Sequence, residues 1–170
     1  MQTVARLVAD AWPRHTTRLH HRSSRCALPP RGGVPQFPSM STARVPYLEA
    51  QLARLAEVRG CLCVGLDPDP QRLPAGVGAG AEGVRAFCLA IIGATAPHAA
   101  AFKPNSAFFE ALGPAGCAVL AEVIAAARRH APVILDAKRG DIGSTATMYA
   151  RAAFEAFGAD AVTVNPSLGN

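Results

Sequence analysis

The chain has 170 residues, half of them hydrophobic and 17% charged, which is length for about one domain with apolar material for a sizeable core and argues against disorder throughout. No stretch approaches the ~18 to 20 uninterrupted apolar residues of a membrane-spanning helix, so a soluble protein is expected. The net charge of +5 is not a nucleic-acid footprint: residues 1–45 hold seven arginines against Asp10 alone, whereas residues 46–170 hold ten basic and eleven acidic residues and are close to neutral.

Residues 1–45 form an Arg-rich leader. R-L-H-H-R-S-S-R (Arg18 to Arg25), the scarcity of acids and a weakly amphipathic opening (Val4, Leu7, Val8, Ala11, Trp12) have the composition of an organelle transit peptide. The alternative is a spurious upstream extension, with Met40 as the true start. Under either reading the leader stands outside the fold, and the protein is expected in the cytoplasm, or in an organelle if the leader is a transit peptide.

From residue 46 helical patterns alternate with short apolar runs. Tyr47 to Val58 places Leu48, Leu52, Leu55 and Val58 on one side at helical spacing, which predicts an amphipathic helix ending near Gly60. C-L-C-V-G-L then runs into Asp67-Pro68-Asp69-Pro70, a first strand stopped by two prolines. Glu82 to Ala94 is a second helix, and His98 to Lys103 a strand before Pro104, because the residue preceding proline is pushed toward extended geometry. Ser106 to Leu112 and Ala115 to His130 are further helix, interrupted at Gly113-Pro114; Pro132 to Lys138 is the third strand, Ser144 to Phe157 a helix, and Ala161 to Asn165 the fourth strand.

Five cysteines (Cys26, Cys61, Cys63, Cys88, Cys117) make an odd number without C-x-x-C spacing, so neither a disulfide framework nor a zinc site is expected. Cys61 and Cys63 share one face of a strand and read as small buried residues. The chain suits a reducing compartment.

Apolar strands alternating with helices imply parallel strands under helical cover, hence a doubly wound open sheet or a (β/α)8 barrel. No G-x-G-x-x-G follows the first strand, against a dinucleotide-binding sheet. Asp67, Lys103, Asp136 with Lys138, and Asn165 fall at or just past the C-terminal strand ends, where barrel enzymes carry their chemistry. The expected fold is therefore α/β, a TIM barrel of which residues 46–170 supply the first four units.

Asp136 and Lys138 are two apart on the third strand, so both side chains should point to one face, and Asp141 follows beyond Gly140. By itself D-x-K-x-x-D reads equally as a solvated loop edge. Val133, Ile134 and Leu135 immediately before it feed the charges from a buried strand instead. Lys138 flanked by two carboxylates should stay protonated and be able to donate a proton. A substrate carboxylate beside Asp136 would be repelled until it leaves as carbon dioxide, and the resulting carbanion would be drawn to the Lys138 ammonium. Such electrostatic complementarity requires neither metal nor organic cofactor.

V-I-L-D-A-K-R-G-D-I-G-S-T (Val133 to Thr145) resembles the active-site motif of the orotidine 5'-phosphate decarboxylase family, D-x-K-x-x-D-I-[GP]-x-T after apolar residues. C-V-G-L-D-P-D, A-F-K-P-N-S-A-F-F-E and F-G-A-D-A-V-T-V-N-P are similar to strand segments of its longer bacterial-type branch, from about Tyr47 to the last residue. The resemblance implies conversion of orotidine 5'-monophosphate to UMP and carbon dioxide, the last step of de novo UMP synthesis, without a cofactor. It implies that Lys103, Asp136 and Lys138 form one charged network with Lys138 as proton donor, and that Asp67, Lys103, Ile142 and Thr145 bind substrate. Asp141 and Thr145 would reach the substrate of a neighbouring subunit, which implies a homodimer. Asn105 and Asn165 are expected to be hydrogen-bonding residues of loops and strand ends.

A complete barrel of this kind takes about 250 residues, with phosphate gripped after strands seven and eight, so residues 46–170 are expected to be a truncated half without those groups. Two alternatives stand beside the decarboxylase reading. One is a magnesium-dependent sugar-phosphate decarboxylase or aldolase sharing D-x-K-x-x-D, against which I-G-S-T argues; the other is a non-catalytic half-barrel fragment. Neither nucleic acid nor membrane is an expected partner.

Overall fold

The computed structural model describes residues 46–167; the leader and the readings placed on it lie outside them. Helix α1 (Pro46–Val58) leads to β1 (Leu62–Leu66), a short 3-10 turn (Pro70–Arg72), α2 (Gly80–Thr95) and β2 (Ala99–Pro104). Then come α3 (Ser106–Glu110), α4 (Gly113–Ala127), β3 (Ile134–Arg139), α5 (Gly143–Arg151), a wide helical turn (Ala152–Ala156) and β4 (Ala161–Val164). The sequence-derived order of elements holds, with two local differences. Gly113-Pro114 starts α4 instead of interrupting helix: Pro114 sits in the first turn, where its missing N–H costs nothing. The helix expected over Ser144 to Phe157 changes pitch after Arg151.

The strands are parallel and lie in chain order. β1 pairs with β2, β3 pairs with β4, and bridges at Phe102–Val133 and Asn105–Asp136 set β3 beside β2. An open dinucleotide-binding sheet would place its first strand between the second and the fourth. Here β2 separates β1 from β3, as barrel closure demands. Outward-facing Leu66, Phe102, Val133 and Leu135 pack with Val84, Cys88 and Ile92 of α2 and Leu120, Val123 and Ile124 of α4 into one buried core. α3 and α4 meet closely enough that a Cβ on Gly116 would lie 1.9 Å from the Phe109 carbonyl oxygen, so only glycine fits there.

Two expectations about burial are corrected. Cys61 and Cys63 are exposed, whereas Cys88 is buried and Cys117 partly so. Cys63 and Gly65 lie on the strand face opposite the helices, which the described residues leave uncovered. Leu48 and Leu52 of α1 are also exposed. Leu55 and Val58 of the same stripe are half-buried, and beside them α1 docks through polar groups: Gln51 Nε2 donates to the Ala100 carbonyl at 3.1 Å, and the Arg54 guanidinium donates to the carbonyls of Ala99 and Ala96. The helix thereby caps main-chain oxygens at the end of α2 and the start of β2, beside the register shift in the β1–β2 ladder.

Candidate active site

Lys103 is the penultimate residue of β2, Asp136 and Lys138 lie on β3, and Thr163 lies on β4. Parallel strands in chain order bring these side chains to one place. Asp136, with only 8% of its side chain exposed, stands between two cations: Oδ2 accepts from Lys103 Nζ at 2.5 Å and Oδ1 from Lys138 Nζ at 2.6 Å. Oδ1 also accepts from Thr163 Oγ1 at 2.9 Å. Hydrogen bonds from Lys103, Lys138 and Thr163 outweigh burial and hold the Asp136 carboxyl far below the usual carboxylate range. Its hydrogen bond to Asp136 raises the Lys103 ammonium above its ordinary value against the opposing effect of burial, with Asp67 adding a smaller push in the same direction. Asp67 is exposed, immediately after β1.

Lys138 differs from its neighbours in two respects. Its side chain is 68% exposed, so the ammonium is anchored to a buried carboxylate yet accessible from the open strand ends. Its backbone has φ +48°, the left-handed region that costs an L-residue about 1 kcal/mol or more. The expected alternation of Asp136 and Lys138 on a regular strand is therefore not the reason they meet. Ile134 and Leu135 pair with Ala161 and Val162, but the next pair is Arg139 with Val164. Three residues of β3, Asp136 to Lys138, thus face Thr163 alone, and the bulge turns Lys138 back onto Asp136.

Asp141 Oδ1 accepts from the Ile142 amide at 2.8 Å, and among the described residues no ion pair joins it to Lys138. It lines a cleft of about 500 Å³ with Arg139, Tyr149, Phe154, Val164 and Asn165. Ile142 and Thr145 are exposed at the start of α5. Asn105 and Asn165 do what was expected of them, accepting from the amides of Ala107 and Ser167. Two residues escaped the sequence reading: Thr163, a lone hydroxyl in the apolar run A-V-T-V, and Arg139, which pairs with Glu110 and lies 5.5 Å from the Tyr149 ring centre.

Residues 60–170 match the profile of the Orotidine 5'-phosphate decarboxylase / HUMPS family. The chain belongs to this family. It is 58% identical over 123 residues to the orotidine 5'-phosphate decarboxylase of Roseiflexus sp. (strain RS-1), an alignment spanning 72% of this chain and 45% of that protein. The enzyme of that name from Herpetosiphon aurantiacus is 54% identical over 123 residues, covering 72% of this chain and 46% of the relative. Among solved structures, Leishmania donovani OMP decarboxylase superposes with a TM-score of 0.61 at 42% identity, over 69% of this chain and 43% of that one. The chain thus spans about half the length of the decarboxylases it matches, and its strands are part of their barrel.

Proposed function

We propose that this chain carries the charged centre of an orotidine 5'-monophosphate decarboxylase, a carboxy-lyase that forms UMP and carbon dioxide. The observation that carries this reading is Asp136, buried and held as a carboxylate between the ammonium groups of Lys103 and Lys138. A substrate carboxylate set beside Asp136 is repelled at close range, and departure of carbon dioxide removes that repulsion. The C–C bonding pair stays on the pyrimidine ring carbon, and the Lys138 ammonium first stabilises it and then gives up a proton to it. Lys103 holds Asp136 from its other oxygen, so the negative charge keeps its place while Lys138 moves its proton.

We assign Asp67, with Lys103, Ile142 and Thr145, to substrate binding. Asp141 stands off from the array, which suits a role of Asp141 and Thr145 at the site of a second subunit in a homodimer. The exposed Ile142, Met148, Tyr149 and Phe154 on the same region of the surface fit that assembly. Cys61, Cys63, Cys88 and Cys117 are free thiols, in keeping with a cytoplasmic enzyme.

The test is incubation of the full-length protein with orotidine 5'-monophosphate in excess chelator, following UMP by chromatography. Formation of UMP at a rate indifferent to added magnesium supports the reading. Failure to form UMP, with magnesium-dependent turnover of a sugar-phosphate keto acid instead, sinks it.

A further inference from the structure

We propose that Thr163 is a positioning residue for the proton donor, holding Lys138 in its bulged conformation and against Asp136 through a single hydroxyl. This inference rests on the decarboxylase reading for its kinetic consequence, although the geometry behind it is independent of substrate.

A threonine hydroxyl has one hydrogen to donate and lone pairs to accept. Both capacities are used at the one place where the β3–β4 ladder fails. The Lys138 amide donates to Thr163 Oγ1 at 3.0 Å, and Oγ1 donates to Asp136 Oδ1 at 2.9 Å. A carboxylate can only accept, so the direction of the second bond is fixed, and the first then runs into a free lone pair. Asp136 Oδ1 is also the oxygen that takes Lys138 Nζ at 2.6 Å. The hydroxyl thus grips Lys138 at its backbone and, through Asp136, at its side-chain tip. It stands where β4 would otherwise offer a main-chain partner, facing three β3 residues by itself. Without it the amide of Lys138 loses its partner, and only the side-chain ion pair with Asp136 is left to hold φ +48° at a non-glycine residue.

The experiment compares Thr163→Val, which keeps the shape and removes both bonds, with Thr163→Ser, which keeps both bonds, in the full-length protein. Decarboxylation of orotidine 5'-monophosphate by Thr163→Val should show kcat lower by about 10- to 100-fold, the scale of a proton donor displaced by about 1 Å. KM should stay within about 3-fold and Thr163→Ser should recover most of the rate. A Thr163→Val enzyme with wild-type kcat, or a Thr163→Ser enzyme as slow as the valine variant, overturns the proposal. If Thr163→Val does not fold, Thr163→Ala, which removes the same two bonds without burying a second methyl, is read by the same criteria. If the wild-type protein itself makes no UMP, the decarboxylase reading has failed, and the positioning claim is decided by a crystal structure of the Thr163→Val or Thr163→Ala variant. Lys138 leaving positive φ or losing Asp136 upholds it, and Lys138 unchanged in both respects overturns it.

Discussion

Asp136 and Lys103 meet at 2.5 Å across two neighbouring strands, the carboxylate nearly enclosed and the ammonium partly open to solvent. Their shifts run in opposite directions and set a pH window. The Asp136 carboxyl is depressed, so its contribution to stability is present above the unfolded value of ~3.9 and is lost as pH falls through the folded one. The Lys103 ammonium is raised, so its contribution is complete below ~10.4 and is lost as pH climbs through the folded value. Urea unfolding of the wild type and Asp136→Asn should therefore differ most between about pH 5 and pH 10. The gap should close progressively below about pH 4 and above about pH 10.5. A gap that stays constant down to pH 2 would show that Asp136 is not held ionised by its lysines.

The strained backbone at Lys138 makes a second prediction that is separate from charge. Lys138→Ala and Lys138→Gly both remove the ammonium, so their difference isolates the φ of +48°. Glycine should be the more stable by about 1 kcal/mol despite its greater freedom when unfolded. Chemical denaturation of the two variants measures this, and an alanine variant more stable than the glycine one would mean that the left-handed conformation is not maintained.

The seat of α1 supplies a third. Arg54, whose side chain is only 12% exposed, caps the carbonyls of Ala96 at the end of α2 and Ala99 at the start of β2, while its bridge to the exposed Glu57 should matter little. Arg54→Ala should destabilise the protein by about 1 to 3 kcal/mol, the cost of leaving buried acceptors unpaired. Hydrogen exchange should speed up in α1 and remain slow in β3. Glu57→Ala, by contrast, should be nearly neutral.

What could be read in the letters follows from where physics is local. The apolar runs before Lys103 and Asp136 are continuous because their strands are covered by helices, so strand order and the position of the charges at strand ends were legible. Helical spacing in Tyr47 to Val58 showed a helix but not its partner. α1 meets main-chain carbonyls as well as apolar atoms, so Gln51 and Arg54 turn inward with Leu55 and Val58 while Leu48 and Leu52 turn outward. Asp136 and Lys138 were expected on one face by alternation. They do meet, but through a bulge that depends on β4, whose hydroxyl at Thr163 has meaning only once the two strands are side by side. Asp141 looked like a member of the same cluster because it is close in sequence. Within the chain its carboxylate accepts from the Ile142 amide instead, a local contact that spacing alone does not reveal.

The most direct test of the account is the rate of orotidine 5'-monophosphate decarboxylation by Lys138→Ala in the full-length protein, measured beside its thermal unfolding. The charged array predicts turnover reduced by about a thousandfold or more in a protein that unfolds as cooperatively as the wild type. A folded Lys138→Ala enzyme with undiminished turnover would contradict it.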